Sequence, residues 1–308
     1  MTTTPEKNVN FMKLALPMGI LSIVLVLASV VLLATRGLNL GLDFTGGTVV
    51  EVAAPQDIAL NDLRDALAEG GYADAIVQHF GSSRDVVVRV PPHETDNGDE
   101  VGLAVFEMVS SAVPSLELRR VEFVGPQVGD ELRDQSGLAV LFAMGAMLAY
   151  IWFRFTNKFG VAALLALVHD VIVVLGAFAL FRWQFDLTVL AAVLAVVGYS
   201  INDTIVIADH IREDFRSSRQ SDTRTIINHS ITRTLSRTMI TSATTLLVLI
   251  ALYVFGGEMI SGFAITLIIG VLVGTYSSVY VANGLLLLMK VDKEDFVVPE
   301  RTEVDEMP

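Results

Sequence analysis

Asp203 stands in the stretch Val197-Gly198-Tyr199-Ser200-Ile201-Asn202-Asp203-Thr204, the polar end of an apolar run that begins near Leu187. An ionisable group at bilayer depth costs at least ~2.5–3.5 kcal/mol even on lenient insertion scales, so it needs a partner or a task. The task open to a carboxyl is to bind and release protons. Helical i, i+4 spacing sets Tyr199 over Asp203 and Ser200 over Thr204, a lane of hydroxyls beside the carboxyl, with Asn202 next to it. Counting ~16 residues at ~1.5 Å each puts Asp203 roughly 24 Å into an apolar slab of ~30 Å. The competing reading is a membrane exit with Asp203 at headgroup level; the depth favours an intramembrane site.

His169-Asp170 is a second candidate, about 10 residues into another apolar run and so ~15 Å deep, close to the midplane. An unpaired carboxyl there must be neutral and hydrogen-bonded or else serve in a relay, whereas a lone histidine is more often a satisfied core group. Arg237 opens a further apolar run, with Thr241, Ser242, Thr244 and Thr245 on the turns that follow. One run descends and the other ascends, so Asp203 and Arg237 fall within a turn or two of one level and can pair. The alternative for Arg237 is a snorkelling anchor. No metal-ligand spacing supports zinc, and no nucleophile–base pair supports hydrolysis.

The elements that must hold these groups are membrane helices. The 308 residues are 53% hydrophobic, with mean hydropathy +0.59, too apolar for a soluble domain of this length. A formal charge of −13 argues against nucleic acid as a partner, and the absence of cysteine excludes disulfides and thiol chemistry. Six apolar runs read as spans: Leu14–Ala34, then near Gly137–Trp152, Gly160–Phe181, Leu187–Ala208, Met239–Phe255 and Ile260–Met289. Leu14–Ala34 is too long an apolar core for a cleaved signal peptide. In the last span Gly270 and Gly274 offer a small-residue face for helix packing, which Ser277 and Ser278 extend.

Residues 37–135 carry no span and read as a folded domain in the order β-α-β-β-α-β. The strands fall at Thr48–Val52, Ala75–Phe80, Asp85–Val90 and Leu116–Val124, and the helices at Asp57–Glu69 and Asp99–Ala112, the second with Val101, Val105, Met108 and Ala112 on one face. Gly81-Ser82-Ser83-Arg84 reads as the hairpin between the middle strands. This is the split βαβ, ferredoxin-like order. The domain holds 18 Asp or Glu against 6 Lys or Arg, an acidic solvated face. Two stretches read as rigid collars between domain and bilayer: Gly41 to Gly47, with Asp43, Gly46 and Gly47, and Val124 to Gly129, with Gly125, Pro126 and Gly129. Neither is a dinucleotide or P-loop fingerprint.

The expected fold is therefore a six-helix transmembrane bundle with an α+β ferredoxin-like extracytoplasmic domain between the first two spans. Its parts are 1–36 (cytoplasmic N-terminus and first helix), 37–135 (the domain), 136–289 (helices two to six) and 290–308 (an acidic cytoplasmic tail, expected to be disordered). Arg154, Lys158, Arg212, Arg216, Arg219, Arg224 and Arg233 lie in connections on one side, so the positive-inside rule puts both termini in the cytoplasm. The basic segment 212–237, with Ile226, Ile227, Ile231 and Leu235, is expected to lie along the membrane as an amphipathic helix.

The blocks GLDFTGGT at 41–48, FVGPQVG at 123–129, HD at 169–170, VGYSINDTIVIADHIRE at 197–213 and TRTLSRTMITSATT at 232–245 together resemble the SecF family. These are the smaller subunits of bacterial SecD–SecF protein-export complexes, in the resistance-nodulation-division superfamily. The resemblance covers nearly the whole chain. It implies assistance to Sec-dependent translocation powered by the proton-motive force, with no other cofactor and no enzymatic activity. It places Asp203 and Arg237 in a proton path, to which Asp170, Tyr199, Asn202 and Thr241 are assigned as further candidates. The partners implied are a SecD-like subunit, the SecYEG channel with its associated membrane subunits, and an unfolded secretory chain, at the bacterial inner membrane. Two other readings stay open: a small-molecule or lipid exporter subunit of the same superfamily, and a structural anchor for an extracytoplasmic binding module.

Overall fold

The computed structural model describes residues 9–92, 98–113, 115–217, 222–292 and 295. The chain divides into two compact units, Met1–Leu38 with Phe142–Arg182 and Ala191–Pro308, and Asn39–Leu141 with Trp183–Leu190. In chain order, α1 (Ala15–Arg36) is followed by β1 (Asn39–Leu40), α2 (Leu42–Thr45), β2 (Gly47–Ala53), α3 (Leu60–Glu69), β3 (Ile76–Phe80) and β4 (Ser82–Val90). Then come α4 (Gly98–Ala112), β5 (Glu117–Val124), α5 (Pro126–Arg154), α6 (Asn157–Phe181), β6 (Gln184–Phe185), α7 (Leu187–Ser217) and α8 (Thr223–Phe255). The last span joins α9 (Glu258–Tyr276), a π-helical turn Ser277–Val281 and α10 (Ala282–Leu288). Among the described residues six helical segments are long and apolar enough to cross a membrane.

The α/β region lies between the first and second spans. Its sheet runs β3-β4-β2-β5, all antiparallel, which is the expected split βαβ arrangement. Strand alternation sends Val86, Val88 and Val90 of β4, with Val50 and Val52 of β2, onto Leu63 and Leu67 of α3 and Val101, Val105 and Val109 of α4. The buried stripe of α4 thus ends on Val109, and the expected Ala112 is exposed. An i, i+4 ladder from Val101 reaches Val109 before a strict 3.6 period would reach Ala112. The hairpin is also tighter than expected: Phe80 pairs with Ser82 across Gly81, whose φ is +74°, so Ser82 to Arg84 already belong to the strand.

Both collars fold into this unit and pack together. Gly47 has φ +109°, and a Cβ there would lie 2.3 Å from the Val90 carbonyl oxygen, so only glycine fits. A Cβ on Gly129 would come within 2.9 Å of the Gly46 amide, and Gly46, at φ +66°, in turn faces Pro126. Gly125 has open space, and Pro126 takes the first position of α5, where a missing N–H costs nothing. The helix therefore begins well before the apolar run at Gly137. Its polar first turns are supported by Asp130–Arg133 (3.0 Å) and Gln135–Glu131 (2.8 Å) pairs.

In the helical unit α6, α7 and the α9–α10 span are the inner members, each with 44% of its apolar window buried, against 11% for α1, 6% for α5 and 17% for α8. Close approach depends on small residues. A Cβ on Gly270 would lie 2.0 Å from Val196 Cγ2, one on Gly274 3.0 Å from Ser200 Cβ, and one on Gly176 2.8 Å from Ser29 Cα. The small-residue face of the last span thus docks on α7, and α1 lies on α6.

Two expectations about this unit change. Residues 212–237 do not form one separate helix: α7 runs on to Ser217 and α8 starts at Thr223, with residues 218–221 outside the described set. Ile226, Ile227 and Ile231 are buried against Ile207, Ile211 and Phe215 of α7 and against Met12 and Phe159, while Leu235 is half-buried. The same 3.6-residue apolar period serves a protein partner as well as a lipid surface. Asp222 caps α8 by accepting from the Thr225 amide at 3.1 Å; the Thr225 hydroxyl and this amide hold its carboxyl below the usual carboxylate range. The tail is also held where it is described: Val291 is in the same core, and Lys158 pairs with Asp295 at 2.7 Å. Residues 293–294 and 296–308 lie outside the described set.

Candidate functional site

Asp170 is fully buried in α6, and its carboxylate is satisfied from three elements. Ser200 of α7 donates to Oδ2 at 2.5 Å, Ser277 of the π-helical turn donates to the same oxygen at 2.7 Å, and His169 Nδ1 lies 2.9 Å from Oδ1. Ser200 reaches Asp170 because Gly274 lets the last span close on α7. The same approach brings Ser277 in, one turn beyond Gly274. The turn from Ser277 to Val281 is wound as a π-helix, a local underwinding frequent at functional positions. His169 leaves its Nε2 buried with no hydrogen-bond partner. Sequence reading took Ser277 as packing; its hydroxyl is instead a ligand of the carboxylate, which a serine in a small-residue face does not reveal.

Asp203 lies one turn beyond Ser200 on α7. The residue is 4% exposed, yet its Oδ2 has no hydrogen-bond partner among the described residues. Tyr199 shares the helix face, as expected, but its hydroxyl donates to Ser242 of α8 at 3.3 Å, and Ser242 meets Thr275 Oγ1 of α9 at 2.8 Å. The lane of hydroxyls thus divides, with Ser200 serving Asp170 and Tyr199 crossing to α8 and α9.

Arg237 sits on α8 with an exposed side chain, and no salt bridge to Asp203 is formed among the described residues. The two groups are not in direct contact here, although the Arg237 charge acts on the Asp203 carboxyl through space. Matching depth places two residues at one level but does not set the rotation of α8, whose outward face carries Arg237 along with Ile240 (61% exposed). Asn202 and Thr241 are exposed as well, and the Thr241 hydroxyl bonds back to the carbonyls of Arg237 and Thr238, both at 3.0 Å.

A family model described as protein export membrane protein SecD/SecF, C-terminal, matches residues 104–292, and one described as the SecD/SecF GG motif matches residues 31–54. The chain is 46% identical over 308 residues to the protein translocase subunit SecF of Vibrio alginolyticus, covering 98% of each. It is 50% identical over 275 residues to that of Pseudomonas aeruginosa, covering 89% of each. The chain belongs to the SecF family. Against the crystal structure of SecDF, a translocon-associated membrane protein from Thermus thermophilus, it aligns at 37% identity with a TM-score of 0.84, over 92% of this chain and 38% of that longer one. A SecDF structure in a super-membrane-facing form aligns with a TM-score of 0.68 at 36% identity, over 94% of this chain. SecF-family membership makes the chain a membrane transport component and not an enzyme.

A second polar cluster of this SecF-family chain escaped the sequence reading. Asp214 near the end of α7 accepts from Arg233 at 2.8 Å, from the Ser230 hydroxyl at 2.6 Å and from His229 Nδ1 at 3.0 Å. It clasps the α7–α8 hairpin, and Arg233, counted above only as a topological charge, is its cation. No group of three or more metal-ligating side chains occurs among the described residues.

The two hydroxyls on Asp170 Oδ2 share one acceptor, so their contributions are coupled. Ser200→Ala and Ser277→Ala are each expected to destabilise the protein in detergent by about 1–3 kcal/mol, the range for removing a partner from a buried polar group. The double variant should depart from the sum by at least about 0.5 kcal/mol in thermal unfolding. Strict additivity would contradict the shared acceptor.

Proposed function

We propose that this chain, a SecF subunit assisting Sec-dependent protein export, draws on the proton-motive force by loading and releasing a proton at Asp203. The observation that carries the reading is the contrast between the two buried carboxyls. Asp170 is held by two serine hydroxyls and the His169 ring nitrogen, whereas Asp203 is buried with an oxygen that has no hydrogen-bond partner among the described residues. A carboxyl so placed gains most from protonation, because the neutral form needs no counter-charge in a low-dielectric surrounding. A proton crossing the membrane potential releases ~2.3 kcal/mol per 100 mV, enough to bias a two-state helix arrangement.

In this reading Asp203 is the proton acceptor and Arg237 its counter-charge in the state where the carboxyl is ionised. Tyr199, through Ser242 and Thr275, links α7 to α8 and α9. Asn202 and Thr241 line the exposed approach to the pair, and Asp170 with His169 is a second carboxyl site deeper in the bundle. An exposed guanidinium on a spanning helix requires a polar partner surface rather than lipid. SecF-family proteins work with a SecD partner in the SecDF complex, and a SecD-like subunit covering α8 meets that requirement. The SecYEG channel with its associated subunits, and the unfolded secretory chain on which the α/β domain acts, complete the proposed assembly. The small-molecule exporter and passive-anchor readings have no comparable observation in their favour.

The chain is a multi-pass protein of a bacterial membrane family, and we place both termini in the cytoplasm and the α/β domain outside. The support is the row of arginines and Lys158 in connections on a single side. With no native cysteine, single cysteines report cleanly. Ser83→Cys, exposed near the start of β4, should be labelled in intact cells by an impermeant thiol reagent, and Ser217→Cys, exposed at the end of α7, should not. Equal labelling of both would overturn the orientation.

For the proton site, Asp203→Asn keeps size and hydrogen-bonding capacity but cannot titrate. In membrane vesicles containing the partner subunit and channel, it should abolish the stimulation of export by an imposed proton gradient while leaving assembly intact. Full stimulation with this variant would remove Asp203 from the path and make Asp170 the carboxyl to pursue.

A further inference from the structure

The first turn of α7 holds more acceptor than a helix start requires. An α-helix leaves its first backbone N–H groups without partners, and one capping side chain suffices to begin it. Asp186 is that cap: its Oδ1 accepts from the Val189 amide at 2.8 Å and from the Thr188 hydroxyl at 2.6 Å. A second carboxylate arrives from far away in sequence. Asp43 Oδ2 accepts from the Leu187 amide at 3.0 Å, so two carboxylates converge on the positive end of the α7 dipole.

Asp43 sits in α2, which is itself fastened on both sides. Towards α7, β1 pairs in parallel with β6 through Asn39–Gln184 and Leu40–Phe185. The Gly41 amide donates to the Phe185 carbonyl at 2.7 Å, and the rings of Phe44 and Phe185 stack with centroids 6.0 Å apart. The fit is close at Gly41, where a Cβ would stand 3.0 Å from Asp186 Cβ. Towards the sheet, Arg89 of β4 reaches across to donate from Nη1 to the Leu40 carbonyl at 2.9 Å, and Leu42 packs on Val49 and Val87. Arg89 is 8% exposed and burial lowers its pKa; this one bond holds a side chain whose Nε and Nη2 have no partner. From Leu187 the helix is unbroken to Ser217 and carries Ser200 and Asp203.

We infer that Asp43 is a positioning residue that couples α7 to the α/β domain, so that displacement of the helix bearing Asp203 is handed to the sheet through α2, Leu40 and Arg89. The inference rests on the proton reading of Asp203 and adds the route by which a protonation event becomes movement of the domain. The Gly41 to Gly47 collar is then a fastened joint and not a linker. Its role differs from stability alone, because Asp186 already starts the helix.

The test separates proton entry from export. Vesicles containing the chain with its SecD-like partner and the channel are assayed for proton uptake under an imposed gradient and for gradient-stimulated export. Asp43→Ala should lower stimulated export roughly fivefold or more, the scale of losing one helix cap, with proton uptake at the rate of the unsubstituted protein. Asp43→Asn keeps an acceptor for the Leu187 amide and should restore export. Gly41→Ala, which crowds Asp186 without touching Asp43, should reproduce the uncoupling. Unchanged export with Asp43→Ala would overturn the inference, as would loss of uptake and export together, or failure of asparagine to rescue. Asp203→Asn in the same vesicles keeps the two claims apart: persistent stimulation there refutes the proton site, whatever Asp43 variants do.

Discussion

A carboxyl enclosed by membrane-spanning helices has no solvent to satisfy it, and the arrangement of this bundle follows from how two such groups are treated. Asp170 receives hydroxyls from two other elements and an imidazole nitrogen from its neighbour. Asp203, one turn from the serine that serves Asp170, is left with an oxygen unsatisfied. Both are buried, and unequal hydrogen bonding sets the carboxyl held in place apart from the one proposed to change protonation state. Ser200 and Asp203 share α7, and Ser200 bonds to Asp170 on α6, which gives a proposed change at Asp203 a route to Asp170.

That arrangement requires helices closer together than ordinary side chains permit. Gly270 and Gly274 bring the last span onto α7, and Gly176 admits α1 against α6. Tyr276 then ties α1 to the last span, donating to the Met18 carbonyl at 2.6 Å and meeting the Ser22 hydroxyl at 2.8 Å. Packing of this kind is discontinuous, since interdigitated small residues allow a few positions and not a continuum. On the function proposed here, a proton at Asp203 selects between arrangements of whole helices, and the inferred joint at the start of α7 passes the choice on.

Much of this was legible in the residues. Strand order, the number of spans, the enclosure of Asp170 and Asp203 and the small-residue face follow from hydrophobic period, glycine position and the cost of charge in a membrane. What escaped depends on rotation and on distant chain segments. Depth alone could not say that α8 turns Arg237 outward, and the period of Ile226, Ile227 and Ile231 suits a helix partner and a lipid surface alike. Ser277 reads as one more small residue until Gly274 sets its distance from Asp170. The two-residue strand at Gln184–Phe185 is too short to leave a periodic signal, so residues 182–186 read as a connection and 187–190 as the start of a span, although 183–190 fold with the α/β unit.

The central claim is that Asp203 changes protonation state while Asp170 stays bound to its donors. Infrared difference spectroscopy of the membrane-embedded complex, stepped between neutral and acidic pH, observes the carbonyl stretch of a protonated carboxyl directly. A band that appears on acidification and is missing from the Asp203→Asn protein is the predicted result. An identical band in the Asp203→Asn protein would contradict the account.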